Sequence, residues 1–247
     1  MKIIVNEIDS PILGATVAEI TDFDPEADFE AFEHNYNDEL RPRYVLCKVP
    51  IARLQHIHRL EAAGFRFIEV QIASRLRLKK GARYDTSDQP YSYQPVETAN
   101  DLERVLDIAG STFSTGRFGL DPDIGEVEGG AFYREYTRRS FARRHDDELI
   151  HKLQNRQSGE IIGFNTCVLT GTQTCRLLNA GVAPRYKQTG LGTVLNYFVF
   201  NDLAERGIKT IDTRQSAANF PILNTELVHF GFRVVEAYVV MRKLYEK

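Results

Sequence analysis

The chain has 247 residues, of which 43% are hydrophobic and 26% charged, with a formal net charge of -3 at pH 7. This balance predicts a globular protein with a sizeable core and excludes a wholly disordered, collagen-like or coiled-coil chain. The lack of a basic excess argues against a nucleic-acid binder, and no apolar run has the roughly 20 residues that a transmembrane helix needs. Three cysteines without a Cys-x-x-Cys pair, and a start too acidic for a signal peptide, complete the prediction of a soluble cytoplasmic protein.

The first ninety residues alternate predicted strands with a predicted helix. Residues 44–49 have the composition of a strand, which Pro50 closes, and residues 51–63 have apolar side chains at helical spacing. Gly64 is a typical helix C-cap, and the alternation in residues 65–72 predicts a further strand. The polar stretch 79–95 that follows predicts a linker or a long surface connection.

After this connection the order of elements predicts an α/β fold. One helix is predicted to begin near Thr98, and three more are predicted over residues 132–142, 194–205 and 221–230. Residues 112–128 form a predicted loop. The predicted strands are 161–169, 174–183, 208–214 and 232–241. We therefore divide the chain into residues 1–90 and residues 91–247.

One ten-residue pattern occurs twice. Leu60-x-x-x-Gly64-Phe-Arg-Phe-Ile-Glu69 returns as Leu227-x-x-x-Gly231-Phe-Arg-Val-Val-Glu236, and Arg75 and Arg242 follow at the same offset. A helix, a glycine cap and an alternating strand are thus predicted in both places. Either the match is accidental, since this arrangement is common, or the chain contains a duplicated unit. Only the second copy has a glycine-containing loop upstream.

That loop, Gln188-Thr189-Gly190-Leu191-Gly192, lies between a predicted strand and a predicted helix. Glycines remove side chains, so successive backbone N–H groups can point into one concavity beside the positive end of the helix dipole. Such a concavity suits a pyrophosphate. The spacing is neither a Walker loop nor a dinucleotide fingerprint, and Gly-x-Gly alone is also typical of a tight strand-to-helix turn.

The residues around the loop resemble the acyl-CoA signature of the GCN5-related N-acetyltransferase (GNAT) superfamily. Val182-x-Pro184 precedes Gln188-x-Gly190-x-Gly192, and Asn219-Phe-Pro221-Ile-Leu precedes Phe230-Gly231-Phe232. The resemblance implies acyl-CoA as co-substrate. It implies that a strand end binds the thioester and pantetheine, that loop amides bind the pyrophosphate, and that an asparagine contacts the CoA arm. The cofactor-binding residues implied here are Ala180, Gly181, Val182, Gln188, Thr189, Gly190, Leu191, Gly192, Thr193 and Asn219.

A narrower resemblance extends over nearly the whole chain. Val45-Leu-Cys-Lys-Val-Pro50, the unit 60–69 and Thr115-Gly-Arg117-Phe118 are similar to segments of the dTDP-fucosamine N-acetyltransferase branch of the superfamily. The resemblance implies a GNAT fold with a central, mostly antiparallel mixed sheet that opens where CoA enters. A degenerate GNAT-like half, residues 1–90, precedes the catalytic acyl-CoA-binding domain, residues 91–247. Gly181 is the position where we expect a bulge to splay the strand.

The general acid departs from the family pattern. Many members place a tyrosine four residues before the glycine of Gly-Phe, where this chain has Leu227; counting from Asn219 gives Glu226 instead. Glu226 or His229 is the candidate catalytic residue, unless water or the product ammonium supplies the proton. The alternative interpretation makes Leu227 a core residue and Glu226 a solvated helix residue.

The implied acceptor is a small molecule, the amine of a dTDP-linked amino-deoxysugar used for surface polysaccharide. Its diphosphate calls for guanidinium groups, so Arg117 and Arg134 are candidate ligands, and Tyr133 is a candidate for stacking. The arginines equally suit a solvated helix face. The acyl group is acetyl or a larger group such as 3-hydroxybutanoyl.

Other functions remain open on the sequence. The enzyme could acylate an amino acid, a polyamine or a protein N-terminus, or the chain could be a non-catalytic acyl-CoA-binding module. The pair His56 and His58 lacks a further ligand at metal spacing, so no metal is expected. We expect no nucleic-acid partner and no membrane insertion, and a homodimer is possible.

Overall fold

A computed structural model describes residues 1–79, 83–113, 120–124 and 126–245. Within these residues ten strands form one mixed sheet in the order β1-β2-β3-β10-β4-β9-β8-β7-β6-β5. Only the β2–β3 and β8–β9 pairs are parallel. The strands are β1 (Lys2–Val5), β2 (Val17–Asp22), β3 (Tyr44–Pro50), β4 (Arg66–Arg77), β5 (Tyr91–Pro95), β6 (Glu148–Asn155), β7 (Ile161–Gly171), β8 (Thr174–Val182), β9 (Thr210–Ser216) and β10 (Arg233–Leu244).

Helices cover both faces of this sheet, which confirms the predicted α/β class with a mostly antiparallel sheet. The helices are α1 (Asp9–Leu13), α2 (Phe29–Leu40), α3 (Leu54–Ala62), α4 (Ala99–Thr112), α5 (Glu126–Ala142), α6 (Leu191–Glu205) and α7 (Phe220–Asn224), and α7 continues as a π-helical segment (Thr225–Phe230). Helices α2, α3 and α6 pack on one face, whereas α4 and α5 pack on the other. No helix among the described residues is long and apolar enough to cross a bilayer.

The sequence prediction missed strands β1, β2 and β6 and helices α1 and α2, and it also differs from the structure at α5 and β5. Helix α5 begins at Glu126, inside the predicted loop, and it packs against α4. There a Cβ on Gly130 would lie 2.6 Å from the carbonyl oxygen of Gly110, so the glycines let the two helices approach closely. Residues Tyr91–Pro95 lie in the predicted connection but form strand β5, because they pair with β6.

The duplicated pattern is confirmed as a symmetric pair of strands. Strands β4 and β10, one from each copy, pair antiparallel with Gln71 opposite Tyr238. Toward one end of this pair of strands, Arg75 of β4 pairs with Arg233 of β10. Toward the other end, Arg242 and Arg66, which occupy the matching positions of the repeat, pair with each other. The two register shifts also fall at matching places, so β4 and β10 are related by a local two-fold axis, here called the repeat axis.

The two copies also exchange their final strands. Strand β4 of the first copy pairs with β9, and β10 of the second copy pairs with β3. The halves are therefore joined through one continuous sheet. The division near residue 90 falls between β4 and β5 and stays a prediction. An important consequence is that a strand from the N-terminal half lies beside β9, where the candidate site is found.

Candidate active site

The centre of the sheet opens between β8 and β9. These parallel strands pair only where Thr174–Arg176 faces Thr210–Asp212. Beyond this point β8 continues to Val182 and β9 to Ser216 without pairing with each other. The result is a gap in the sheet, flanked by two strand edges, as the sequence resemblance implies for the place where CoA enters.

Strand β8 turns backbone groups into this gap. The N–H of Asn179 donates to Thr166 Oγ1 of β7, and the N–H of Ala183 donates to the carbonyl of Ile162. Because antiparallel residues alternate in direction, the N–H groups of Ala180 and Val182 face the opposite side. These two amides are therefore directed toward the gap.

Gly181 does not form the bulge that the sequence predicts. It pairs regularly with Phe164, and the register shift instead leaves Leu178 as the extra residue. A Cβ on Gly181 would lie 2.9 Å from Cγ2 of Thr112, at the end of α4. The glycine is thus needed because α4 packs tightly on the strand. Thr112 also donates from Oγ1 to the carbonyl of Val182 at 3.2 Å.

The glycine loop connects β8 to α6 with two residues at positive φ. Gln188 has φ 63°, and Gly190 has φ 84° as the N-cap of α6. The left-handed backbone at Gly190 is one that glycine adopts without strain. Among the described residues, nothing accepts a hydrogen bond from five consecutive backbone N–H groups. These belong to Gln188, Thr189, Gly190, Leu191 and Gly192.

Two further observations define the surroundings of these amides. A Cβ on Gly192 would meet no atom within 4 Å, so open space lies in front of it. The N–H of Thr193, predicted to join the cradle, donates to the carbonyl of Gly190 at 3.0 Å. The geometry therefore fits an anionic diphosphate at the first five amides, and Thr193 is already engaged in closing the first helical turn.

Asn219 lies on the other side of the gap, just beyond the end of β9. Its backbone N–H donates to the carbonyl of Ser216, and its own carbonyl accepts from Leu223 as α7 begins. Its side chain does not cap the helix. The half-buried carboxamide is thus placed next to the strand that diverges from β8, where the resemblance implies a contact with the CoA arm.

Glu226 is buried, which contradicts its interpretation as a solvated helix residue. It lies on the π-helical segment and accepts hydrogen bonds at Oε2 from Ser74 Oγ at 3.1 Å and Gln215 Nε2 at 2.6 Å. Burial raises its pKa to about 7, although the hydrogen bonds from Ser74, Gln215 and Thr213 act in the opposite direction. A carboxyl group with this pKa can give or take a proton near neutrality.

The sequence did not indicate the residues that hold Glu226. Ser74 comes from β4 of the N-terminal half and lies opposite Thr213 in the β4–β9 pair. Thr213 and Gln215 belong to the part of β9 that has left β8. No local motif connects these positions with Glu226, because they meet only through strand exchange. Leu227, in contrast, packs against the core under α6, as its alternative interpretation predicted.

His229 points away from Glu226. Its Nε2 lies 2.8 Å from the hydroxyl of Tyr197 on α6, and the residue is exposed. The structure thus separates the two catalytic candidates: Glu226 faces β4 and β9, whereas His229 faces α6.

The candidate acceptor residues lie on and before α5. Arg117 is outside the described residues. Tyr133 stacks on Phe113 with ring centroids 4.2 Å apart. Arg134 donates to Asp107 Oδ1 at 3.0 Å and to the carbonyl of Leu106 at 3.2 Å, so it connects α5 to α4. The structure does not bring Arg134 to the gap residues named above, and its role toward an acceptor stays a prediction.

In the described part of the chain, no group of three or more His, Cys, Asp or Glu residues could hold a metal ion. Backbone amides of β8 and of the glycine loop lie at the gap, together with the raised-pKa carboxyl of Glu226. Such a set suits an acyl transfer from a thioester, which needs carbonyl polarisation and proton transfer.

Comparison with known proteins agrees with this geometry. Residues 73–220 match the model of a family described as an acetyltransferase (GNAT) domain. No curated protein matches the chain. Among solved structures, a GCN5-related N-acetyltransferase from Sphaerobacter thermophilus is 13% identical with a TM-score of 0.65, covering 93% of this chain and 72% of that one.

Two further structures give a similar result. A tandem GNAT protein from the clavulanic acid biosynthesis pathway is 13% identical, with a TM-score of 0.65 and coverage of 95% of this chain and 77% of that chain. A GCN5-related N-acetyltransferase from Kribbella flavida is 12% identical, with a TM-score of 0.62 and coverage of 94% and 82%. These likenesses show the fold, while the family model matches more than half of the chain. The chain therefore belongs to the GNAT family of acetyltransferase domains.

Proposed function

We propose that this GNAT acyltransferase moves an acyl group from acyl-CoA to the amine of a dTDP-linked amino-deoxysugar. GNAT domains use acetyl-CoA or another acyl-CoA, and the five free amides from Gln188 to Gly192 are the observation that carries the assignment of this cofactor. They lie at the N-terminus of α6, where the helix dipole also favours an anion. We assign the diphosphate of CoA to these amides.

The gap between β8 and β9 suits the rest of the cofactor. When bound, acyl-CoA supplies an activated thioester carbonyl and a thiol leaving group. The N–H groups of Ala180 and Val182 are directed toward the gap and would donate to a carbonyl oxygen there. The side chain of Asn219, on the opposite edge, is available to an amide of the CoA arm.

Glu226 is the proposed source of the proton for the leaving thiolate. Its pKa of about 7 leaves a large protonated fraction at neutral pH, and Ser74 and Gln215 hold the carboxyl group beside the gap. His229 is the weaker candidate, because its ring contacts Tyr197 on the outer side of the π-helical segment.

The dTDP-amino-sugar acceptor rests on the sequence resemblance of residues 45–50, 60–69 and 115–118 to the dTDP-fucosamine branch. In this proposal Arg117 binds the acceptor diphosphate, and Tyr133 of α5 stacks on the acceptor. Arg134 supports helix α5 in this position. The other acceptors, an amino acid, a polyamine or a protein N-terminus, are outcomes of the test, and so is a module that binds CoA without turnover.

The test is a two-part incubation. First, CoA is titrated into labelled protein, and we expect amide signals of residues 188–192 to shift; unchanged signals would overturn the cofactor assignment. Second, acetyl-CoA and 3-hydroxybutanoyl-CoA are incubated with a panel that contains a dTDP-amino-deoxysugar, spermidine, single amino acids and a peptide. Mass spectrometry should find the acylated sugar nucleotide as the main product, and turnover of another amine alone would replace the proposed acceptor.

A further inference from the structure

Four polar side chains surround the repeat axis on one face of the sheet. Glu69 and Gln71 come from β4, and Glu236 and Tyr238 occupy the matching positions of β10. Glu69 pairs with Val240, which packs against Phe132 of α5. Because directly paired residues share a face, this polar cluster faces the α4–α5 side, opposite to the face on which Glu226 lies.

Each copy makes the same internal contact in the cluster. Gln71 Nε2 donates to Glu69 Oε1 at 2.9 Å, and the hydroxyl of Tyr238 donates to Glu236 Oε2. The environments nevertheless differ, because Glu236 is exposed whereas Glu69 is 3% exposed. The same pair of positions thus gives one solvated carboxylate and one buried carboxylate.

The second oxygen of Glu69 has no partner. Its Oε2 is buried and receives no hydrogen bond from any residue that the structure describes. A carboxylate oxygen that is removed from water without a donor costs folding free energy, whereas an apolar side chain of similar size would not. A donor from outside the chain would remove this cost.

The cluster lies one strand away from the gap, on the other side of β9. Gln71 pairs with Ser216, the last residue of β9, in the part of β9 that has left β8. Arg214, also on β9, lies over the ring of Tyr238 with its guanidinium carbon 4.8 Å from the ring centroid. Glu69 and Glu226 therefore lie on opposite faces of the sheet, near the end where β9 stops.

We propose that Glu69 binds the ammonium group of the acyl acceptor, through Oε2, on the α4–α5 face of the sheet. This inference rests on the proposed acyl transfer to an amine. The bond would be a charge-assisted N–H···O contact, and Gln71 orients the carboxylate by holding Oε1. The site selects an amine over a hydroxyl acceptor, and it is composite, since the N-terminal half supplies the amine-binding residue.

The test compares Glu69→Gln with a control, Glu39→Gln, which alters an exposed carboxylate on α2. The wild type is first assayed with acetyl-CoA and the amine panel. For the best amine we expect Glu69→Gln to raise the acceptor KM at least thirtyfold and to leave the acyl-CoA KM within twofold. Its melting temperature should equal or exceed that of the wild type, because Oε2 has no hydrogen bond that the substitution could remove. The control should change none of these values.

A conservative variant distinguishes a role of Glu69 in binding the acceptor from a role in folding. Glu69→Asp keeps the charge but withdraws it by one methylene group, and we expect a smaller rise in acceptor KM than for Glu69→Gln. If amine turnover occurs and both variants keep the wild-type acceptor KM, the inference is wrong while the proposed function stands. A lowered melting temperature with unchanged acceptor KM would make Glu69 a structural residue. If the wild type acylates no amine, the proposed function itself fails.

Discussion

The two halves of the chain share a backbone arrangement, in which α2 connects the parallel strands β2 and β3 and α6 connects the parallel strands β8 and β9. They differ at the start of these two helices. In the N-terminal half, Asp28 caps α2 by accepting from the N–H of Ala31, and Asp24 accepts from the N–H of Glu26. In the C-terminal half Gly190 occupies the N-cap of α6, and no side chain caps the helix. Carboxylates thus fill one helix start, and the other is free for an external anion. The capping side chains, rather than the fold, decide which of the two helix starts is open to an anion.

A second contrast concerns the matching arginines Arg75 and Arg242. Each forms a two-point contact with an aspartate, Arg75 with Asp212 and Arg242 with Asp121. The Arg75 side chain is 46% exposed, whereas those of Arg242 and Asp121 are 7% and 0% exposed. Asp121 also accepts from the hydroxyl of Tyr44 at 2.6 Å, so Arg242 fixes the chain just before α5.

The largest expected effect on stability comes from removing the buried arginine of this pair. Arg242→Met leaves the Asp121 carboxylate buried without its cation, which we expect to lower the free energy of unfolding by about 3–5 kcal/mol. Arg75→Met removes a half-exposed ion pair and should cost less than about 1 kcal/mol. Urea denaturation of both variants measures the difference. Equal losses would mean that burial does not distinguish the two copies.

Glu226 gives the next largest effect. The matching residue of the first copy is Arg59, which is exposed, whereas Glu226 is buried with its pKa raised to about 7. The folded protein therefore holds a proton that the unfolded chain releases at lower pH, so stability falls as pH rises from about 4.5 to 7. The pKa shift corresponds to about 3 kcal/mol of folding stability, which is present below pH 4.5 and has been lost once the pH exceeds 7.

Glu226→Gln has no such proton. Its free energy of unfolding relative to the wild type should rise by up to about 3 kcal/mol between pH 5 and pH 8, as urea denaturation at both pH values measures. Glu39→Gln, on the exposed face of α2, serves as the control and should show no pH-dependent difference. A constant difference between Glu226→Gln and wild type would contradict a raised pKa. If Glu226 supplies the proton in catalysis, the same variant also lowers kcat.

The smallest effect on stability is expected in the glycine loop. Gly192→Ala places a methyl group in open space on a helix, which should change the free energy of unfolding by less than about 1 kcal/mol, in the stabilising direction. The methyl group would lie in front of the free amides, so we expect CoA affinity to fall about tenfold, or about 1.4 kcal/mol. Calorimetry measures the affinity. Gly171→Ala, also in open space but on the β7–β8 turn, should keep wild-type affinity.

The sequence alone predicted the features that depend on short-range geometry. The helix–glycine–strand repeat, the Gln188–Gly192 loop and the order of elements from β7 to β10 follow from side-chain periodicity and from glycine at positive φ, as at Gly64, Gly190 and Gly231. The sequence predictions were wrong where contact with an element distant in sequence determined the local structure. Gly181 is a glycine because Thr112 approaches it, and Tyr91–Pro95 form a strand because they pair with β6.

Only the tertiary structure decided which strands are neighbours. Nothing in the local pattern of residues 66–77 or 233–244 tells that each strand pairs outside its own half, because a strand edge can accept either partner. That choice buries Glu226 against Ser74 and Glu69 in the β4–β10 pair, and burial in turn raises the pKa of Glu226. The sequence determined the glycine loop and the elements around it, and the exchange of two strands determined which carboxylates are buried, since burial is a property of the assembled sheet.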